Sequence, residues 1–385
     1  MTHILKETHP TVYQIDQKLH ELVRKIELLN YVNPLNIEAQ KKQFFATRFS
    51  LEPEFHYRKI DFNPHALQKD LYSQPIEDLK DEYLYDFYKE VIDEYSGLIE
   101  CIETIGHGKK FYYNSLRSFG TPTQKDVENA RFILHFGDEE FNSEMFPVYG
   151  VEEAVAYFKE FTKQYGFTFS IKLSTKLSAA AMVLNNTQTL VLKKNHRFSA
   201  NQLKVLANHE IGVHMVTTFN GMQQPLKIFF NGFPRNVETQ EGLAVFSEYM
   251  SNCLTLHRLK ELAYRVIATD SLLKGFNFCD TFDLLYSQYK LNKDESFAIS
   301  LRAHRAGGFT KDHLYLTGLK KIYDHFHNGK SLDPLLTGKV SIEKEKDIAN
   351  WQKNGFAVAP SYLNKAFTEN NNTNKKLDFI LQNLK

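Results

Sequence analysis

The sequence has little cysteine, with only Cys101, Cys253 and Cys279 in 385 residues. Three widely separated thiols build neither a zinc ribbon nor a disulfide framework, and they fit a reducing compartment. Surplus charge is equally scarce. The 47 basic and 46 acidic side chains leave a net charge of +1, which gives no reason to expect nucleic acid or an anionic membrane as a partner. No apolar run approaches the length of a bilayer span. The opening "MTHILKETHPTVYQIDQ" lacks the basic-then-apolar order of a secretory signal. Together these absences predict a soluble, cytoplasmic protein with no nucleic-acid and no membrane partner.

What is present is enough apolar residue, 42%, for one large core or two coupled lobes. Residues 12–30 and 84–106 carry apolar side chains at helical spacing, as does "VEEAVAYFKEFTKQYG" at 151–166. Between the first two, Pro64 and Pro75 are expected to break regular structure. Residues 1–165 therefore read as a mostly helical N-terminal region, and 166–385 as a second, catalytic region. The pattern changes at 167, where "FTFSIKLS" alternates apolar and polar positions as a strand does. "AAMVLNNTQTLVLKKN" gives two such runs about Asn185-Asn186-Thr187, a hairpin. The expected sheet is small and antiparallel, and "TLVLKK" is placed to hold a peptide by strand addition. Ser199 and Gln202 then stand in capping-box spacing, marking a helix start. The fold class expected is α+β, mainly α-helical.

That helix carries "LANHEIGVHMV". Its histidines, His209 and His214, stand five apart with Glu210 beside the first, one residue more than the H-E-x-x-H signature of zinc proteases. On a regular helix a step of five overshoots one face by about 140°. A π-bulge, in which five positions act as four, brings both imidazoles to one metal, and Gly212 lies where the helix could open. A hydrolytic zinc takes three protein ligands and keeps a fourth position for water. The third donor is sought in "FPRNVETQEGLAVFSEYMSNCL", a helix started by Pro234 and Asn236. Glu238, Glu241 and Glu248 share one face there, interrupted by Ala244 and Val245. Spacing does not choose among the three.

"HEIGVH", "NGMQQPL" and "QEGLA" together resemble the tyrosine carboxypeptidase family, the microtubule-associated tyrosine carboxypeptidase-like proteins. The family also takes in bacterial flavohaemoglobin-expression-modulating QEGLA-motif proteins. "YRKIDFNPHALQKDLYSQPIEDL" and "FTKDHLYLTGL" resemble its N-terminal and later segments, so the likeness spans most of the chain. The resemblance implies a gluzincin-like zinc carboxypeptidase acting on a peptide or protein C-terminus that ends in Tyr or Phe. It implies one zinc on His209, His214 and Glu241, with Glu210 as general base and Glu238 and Glu248 at most supporting. Aromatic preference is implied by the family alone, because 14% aromatic content is explained by core packing.

A carboxypeptidase must also hold a terminal carboxylate, and arginine's planar fork suits it best. "SLRAHRAGGFTKDHLYL" offers Arg302, His304, Arg305, His313 and Tyr315. Arg302 and Arg305 match an R-x-x-R pattern of the family and are the candidates for the carboxylate. Tyr315 is the candidate oxyanion donor. The family has glycine directly after that pattern, where this chain has Ala306. Two other readings stand beside the leading one. One is an N-terminal-end exopeptidase of the dipeptidyl-peptidase type, which shares H-E-x-x-x-H but sets its third ligand in another context. The other is a non-catalytic regulatory protein with structural zinc, which would have no need of Glu210.

Overall fold

The computed structural model describes residues 2–137, 143–175, 177 and 179–385. It is mainly helical, with a small sheet. The chain divides into two compact units, each assembled from separate stretches. The first comprises Met1–Arg24, Asp138–Leu256 and Thr317–Asn383; the second comprises Lys25–Gly137, His257–Leu316 and Leu384–Lys385. Among the described residues no helix is long and apolar enough to cross a membrane.

In the first unit the helix Pro10–Val23 starts on a proline, whose missing N–H costs nothing at that position, and buries Val12, Ile15, Leu19, Leu22 and Val23. It stops at Arg24, so residues 12–30 are not one helix; Leu28–Val32 is a separate short one. The helix Val151–Thr162 follows its periodicity. The strands are β1, Ser170–Ser174, β2, Ala181–Leu184, and β3, Thr189–Lys193. Their order is β1-β3-β2. β2 and β3 form the expected hairpin, turning through Asn185–Thr187 and Gln188 at φ +42°.

Two expectations about the sheet are corrected. It is mixed rather than antiparallel, because β1 pairs with β3 in parallel, from Ser170 opposite Thr189 to Ser174 opposite Lys193. A parallel pair needs a crossover, and β2 with its turn supplies it. Alternation along a strand does not encode the direction of its neighbour. Second, "TLVLKK" cannot take another strand, because β3 is central, with both edges paired and Thr189–Leu192 buried. The sheet's outer strands are β1 and β2.

In the second unit Asp81 caps the helix Glu82–Glu103 by accepting the Leu84 N–H. Pro64 does not break structure; it opens the helix Pro64–Tyr72, and the Asn63 side chain accepts the Ala66 N–H at 3.1 Å. Buried Phe44, Phe278, Phe282, Phe297 and Leu301 form a core cluster with Phe45, Phe49 and Phe55 against it. Phe44 meets Phe278 and Phe282 edge-on, at ring separations of 5.2 and 4.8 Å. Here the aromatic richness is packing.

Candidate metal centre

The histidines lie on a helix that changes type along its length. Ala200–Leu206 is α-helical, Ala207–Met215 is π-helical, and Val216–Gln223 is α-helical again. Ser199 starts it, its hydroxyl accepting the Gln202 N–H at 3.0 Å. Gln202 does not close the capping box, since its side chain bonds His196 instead. With backbone bonds running from i to i+5 in the π segment, positions five apart stack as positions four apart do in an α-helix. The π segment is held laterally: Ser247 Oγ donates to the Asn208 carbonyl at 3.1 Å, and Ser251 Oγ to the Asn208 side chain at 2.8 Å. Gly212 has a specific reason to be glycine. A Cβ there would come within 2.8 Å of Asn364 Nδ2 and 3.4 Å of the Tyr165 hydroxyl. Close approach of neighbours, not an opened backbone angle, requires it.

The partner helix is Asn236–Met250, buried at every position from Thr239 onward. Its Gly242 crosses Gly318 of the helix Leu314–His327 backbone to backbone, and a Cβ on Gly242 would lie 2.4 Å from the Gly318 carbonyl. The contact sits one residue from Glu241 and fixes that carboxylate's depth. Thr217 Oγ1 donates to Gln240 Oε1 at 2.8 Å, tying the histidine helix to the glutamate helix.

This scaffold brings together three of the expected residues. Glu241 Oε2 lies 3.7 Å from His209 Nε2 and 3.6 Å from His214 Nε2, and donor atoms of all three fall within 4.8 Å of one another. Tetrahedral zinc with bonds of about 2.0–2.2 Å sets its donors about 3.3–3.6 Å apart, so the two imidazole–carboxylate separations fit the ion to within a few tenths of an ångström. Charge points the same way. Glu210, Glu241 and Glu248 place three carboxylates around two imidazoles in a mostly buried space. His209 is pushed up to about 10: burial works against its charge, but the neighbouring carboxylates of Glu241 and Glu248 outweigh it. Burial raises Glu210, while His209, His214 and an N–H of Val183 on β2 pull the other way.

Of the three glutamates on one face, Glu238 pairs with Lys321 at 2.6 Å. Glu248 is fully buried and accepts from His209 Nδ1 at 2.8 Å, which leaves Nε2 facing Glu241. Its signal was in the sequence, since seven residues after Glu241 are two helical turns on the same face. The Gly242–Gly318 crossing had none, because its halves lie far apart in the chain.

The other expected residues belong to the second unit. Arg302 is committed to Asp312, its Nη2 2.9 Å from Oδ1 and its Nε on the other oxygen. Arg305 donates to Asn33 at 2.7 Å and lies over the Phe309 ring. Tyr315 has Arg265 5.0 Å and Lys311 4.8 Å from its ring centre. His304 bonds Thr281 and His313 bonds the Thr310 carbonyl. Ala306 stands at φ +62°, the left-handed region where the family's glycine is at ease, and its N–H donates to the Tyr57 hydroxyl.

With fold and site described, the class is that of a peptide-bond hydrolase family. The sequence model of microtubule-associated tyrosine carboxypeptidase matches residues 42–385, a stretch that includes every candidate site residue. The chain belongs to that family. No curated protein matches it.

Proposed function

We propose that the chain is a zinc-dependent carboxypeptidase that removes a C-terminal tyrosine or phenylalanine from peptides or proteins. It has a gluzincin-like centre in which His209, His214 and Glu241 hold the metal. The observation that carries the reading is the π segment, which brings two imidazoles five residues apart to one carboxylate. Zinc bound there would acidify a water and polarise the scissile carbonyl. Glu210, next to His209 and outside the ligand set, takes the water's proton and passes it to the leaving amine. Burial raises its proton affinity. Glu248 holds His209 with Nε2 turned toward Glu241.

Tyr315 is the proposed oxyanion donor, and Arg302 and Arg305 the proposed carboxylate ligands. Arg302's engagement with Asp312 shifts direct contact toward Arg305. β2, whose Val183 N–H meets Glu210, is the strand beside the histidine helix where an extended substrate would lie.

The test uses wild-type protein stripped with a chelator and restored with zinc. Peptides ending in tyrosine should lose that residue only in the restored sample, also when the N-terminus is blocked, and peptides ending in tyrosinamide should resist. Cleavage that requires a free N-terminus would replace the reading with the dipeptidyl-peptidase type. Zinc uptake without cleavage of any peptide would leave a regulatory protein.

A further inference from the structure

In the first unit, residues 358–371 form a strap that touches both helices carrying the proposed metal ligands. On the histidine helix the holds are polar. Asn220, fully buried, accepts the Ser361 and Tyr362 N–H groups at 3.0 and 2.9 Å and donates to the Tyr362 carbonyl at 2.8 Å. Gln224, just past the helix end, accepts the Val358 N–H at 2.8 Å. On the glutamate helix, Phe367 stacks on Phe246 at a ring separation of 5.9 Å. The Asn371 N–H donates to the Met250 carbonyl there at 2.8 Å. Between these two sets of holds, in sequence, stands Asn364.

The Asn364 amide lies against Gly212, the glycine between the two histidines. A Cβ on Gly212 would stand 2.8 Å from Asn364 Nδ2 and 3.4 Å from its Cγ. The amide is not free to swing aside. The side chain is 2% exposed, its Oδ1 accepts the Ala366 N–H at 3.0 Å, and its carbonyl accepts the Phe367 N–H at 3.1 Å. One turn therefore seats Phe367 on the glutamate helix and presents the amide to the histidine helix. The contact is also costly. Asn364 Nδ2 and the Tyr165 hydroxyl, 3.4 Å from the same Cβ position, are buried with no hydrogen-bond partner among the described residues. Apolar side chains of similar shape would fill the space without that cost. Local cost of this kind gathers where position matters to function.

We propose that Asn364 is a positioning residue of the metal centre. Its amide, seated on the strap, bears on Gly212 and holds the π segment in the register that sets His209 and His214 opposite Glu241. In a regular α-helix the two imidazoles would stand about 140° apart around the axis, too far to share one ion. Because the same turn is fixed to Phe246, the strap couples the two helices whose side chains meet at the centre. Asn364 acts through Gly212 and supplies no ligand. This deepens the zinc-centre reading and rests on it.

The experiment measures zinc affinity in the full-length protein by competition with a chelator, and the visible spectrum once cobalt replaces zinc. Asn364→Ser withdraws the amide and leaves a hydroxyl to accept the Ala366 N–H. It should weaken zinc about tenfold or more and shift the cobalt bands, which report ligand geometry. Phe282→Leu, in the second unit's core, controls for lost stability and should leave both readings at wild type. Gly212→Ala should also weaken zinc and shift the bands, by driving a methyl into the amide; it carries the test should Asn364→Ser fail to fold. The two changes together should lose less than the sum of the singles, because the methyl then takes the space the amide left. Wild-type affinity and spectrum in either single variant overturn the proposal. So does a loss no larger than that of Phe282→Leu, or a double variant whose loss is the sum. Any of these results with zinc on the wild type sinks the positioning role and leaves the centre standing. Wild type that binds no zinc sinks both.

Discussion

At the scale of single residues, the glutamate outside the ligand set is the informative one. Glu248 spends a fully buried carboxylate on His209 Nδ1. Such a bond fixes the tautomer and aim of a ligating imidazole, and its loss typically costs 10- to 100-fold in metal affinity. Glu248→Gln should therefore lose zinc to a competing chelator at about 10- to 100-fold lower chelator concentration than wild type, with the fold retained by circular dichroism. Unchanged retention would make Glu248 a packing residue only. His304 gives a second residue-scale prediction. Burial holds it down at about 4, against an opposing pull from Asp280. The unfolded chain protonates this group from about pH 6.5, so between those values unfolding takes up a proton the folded state refuses. Stability contributed by the neutral ring is thus present above about pH 6.5 and lost as pH falls toward 4, about 3 kcal/mol in all. In urea unfolding at pH 7.5 and 4.5, His304→Gln should lose less stability on acidification than wild type. An equal loss in both would show that His304 is not the titrating group.

At the scale of elements, the centre depends on one helix carrying an extra residue and another approaching a third without side chains between. The extra residue was legible: a five-residue histidine spacing makes metal binding and a regular helix incompatible, and a π segment resolves that conflict. The role of Gly212 was legible only as a cost, since its reason lies in Asn364 and Tyr165, distant in sequence. The hairpin could be read from turn residues. The parallel pairing of β1 could not, because both faces of the argument, alternation and length, are blind to direction. Pro64 shows the opposite failure, where a residue that ends helices opened one because Asn63 stood before it. Gly242→Ala tests the crossing directly. Placing a methyl 2.4 Å from backbone at Gly318 should destabilise by about 3 kcal/mol or more, since neither backbone can rotate away. A denaturant midpoint equal to wild type would mean that the two helices separate freely.

At the scale of the whole molecule, each unit is built from stretches that leave and return along the chain. Local patterning reports each stretch but not which ones meet, so Arg265 was passed over although it shares Tyr315 with Lys311. Charge behaves in the same way. A net charge of +1 conceals acidic surroundings at the histidines in one unit and a buried cationic cluster in the other. The family match, over residues 42–385, takes in stretches of both. The site motif was legible because it is nearly contiguous; the groups around it were not, because folding assembles them.

The most direct measurement compares wild type with Glu210→Gln, reading zinc per chain by native mass spectrometry and tyrosine release from one peptide in the same samples. Both proteins should carry one zinc, while Glu210→Gln turns over about a hundredfold more slowly or worse. Equal turnover would remove Glu210 as the base, and wild type without zinc would contradict the metal centre itself.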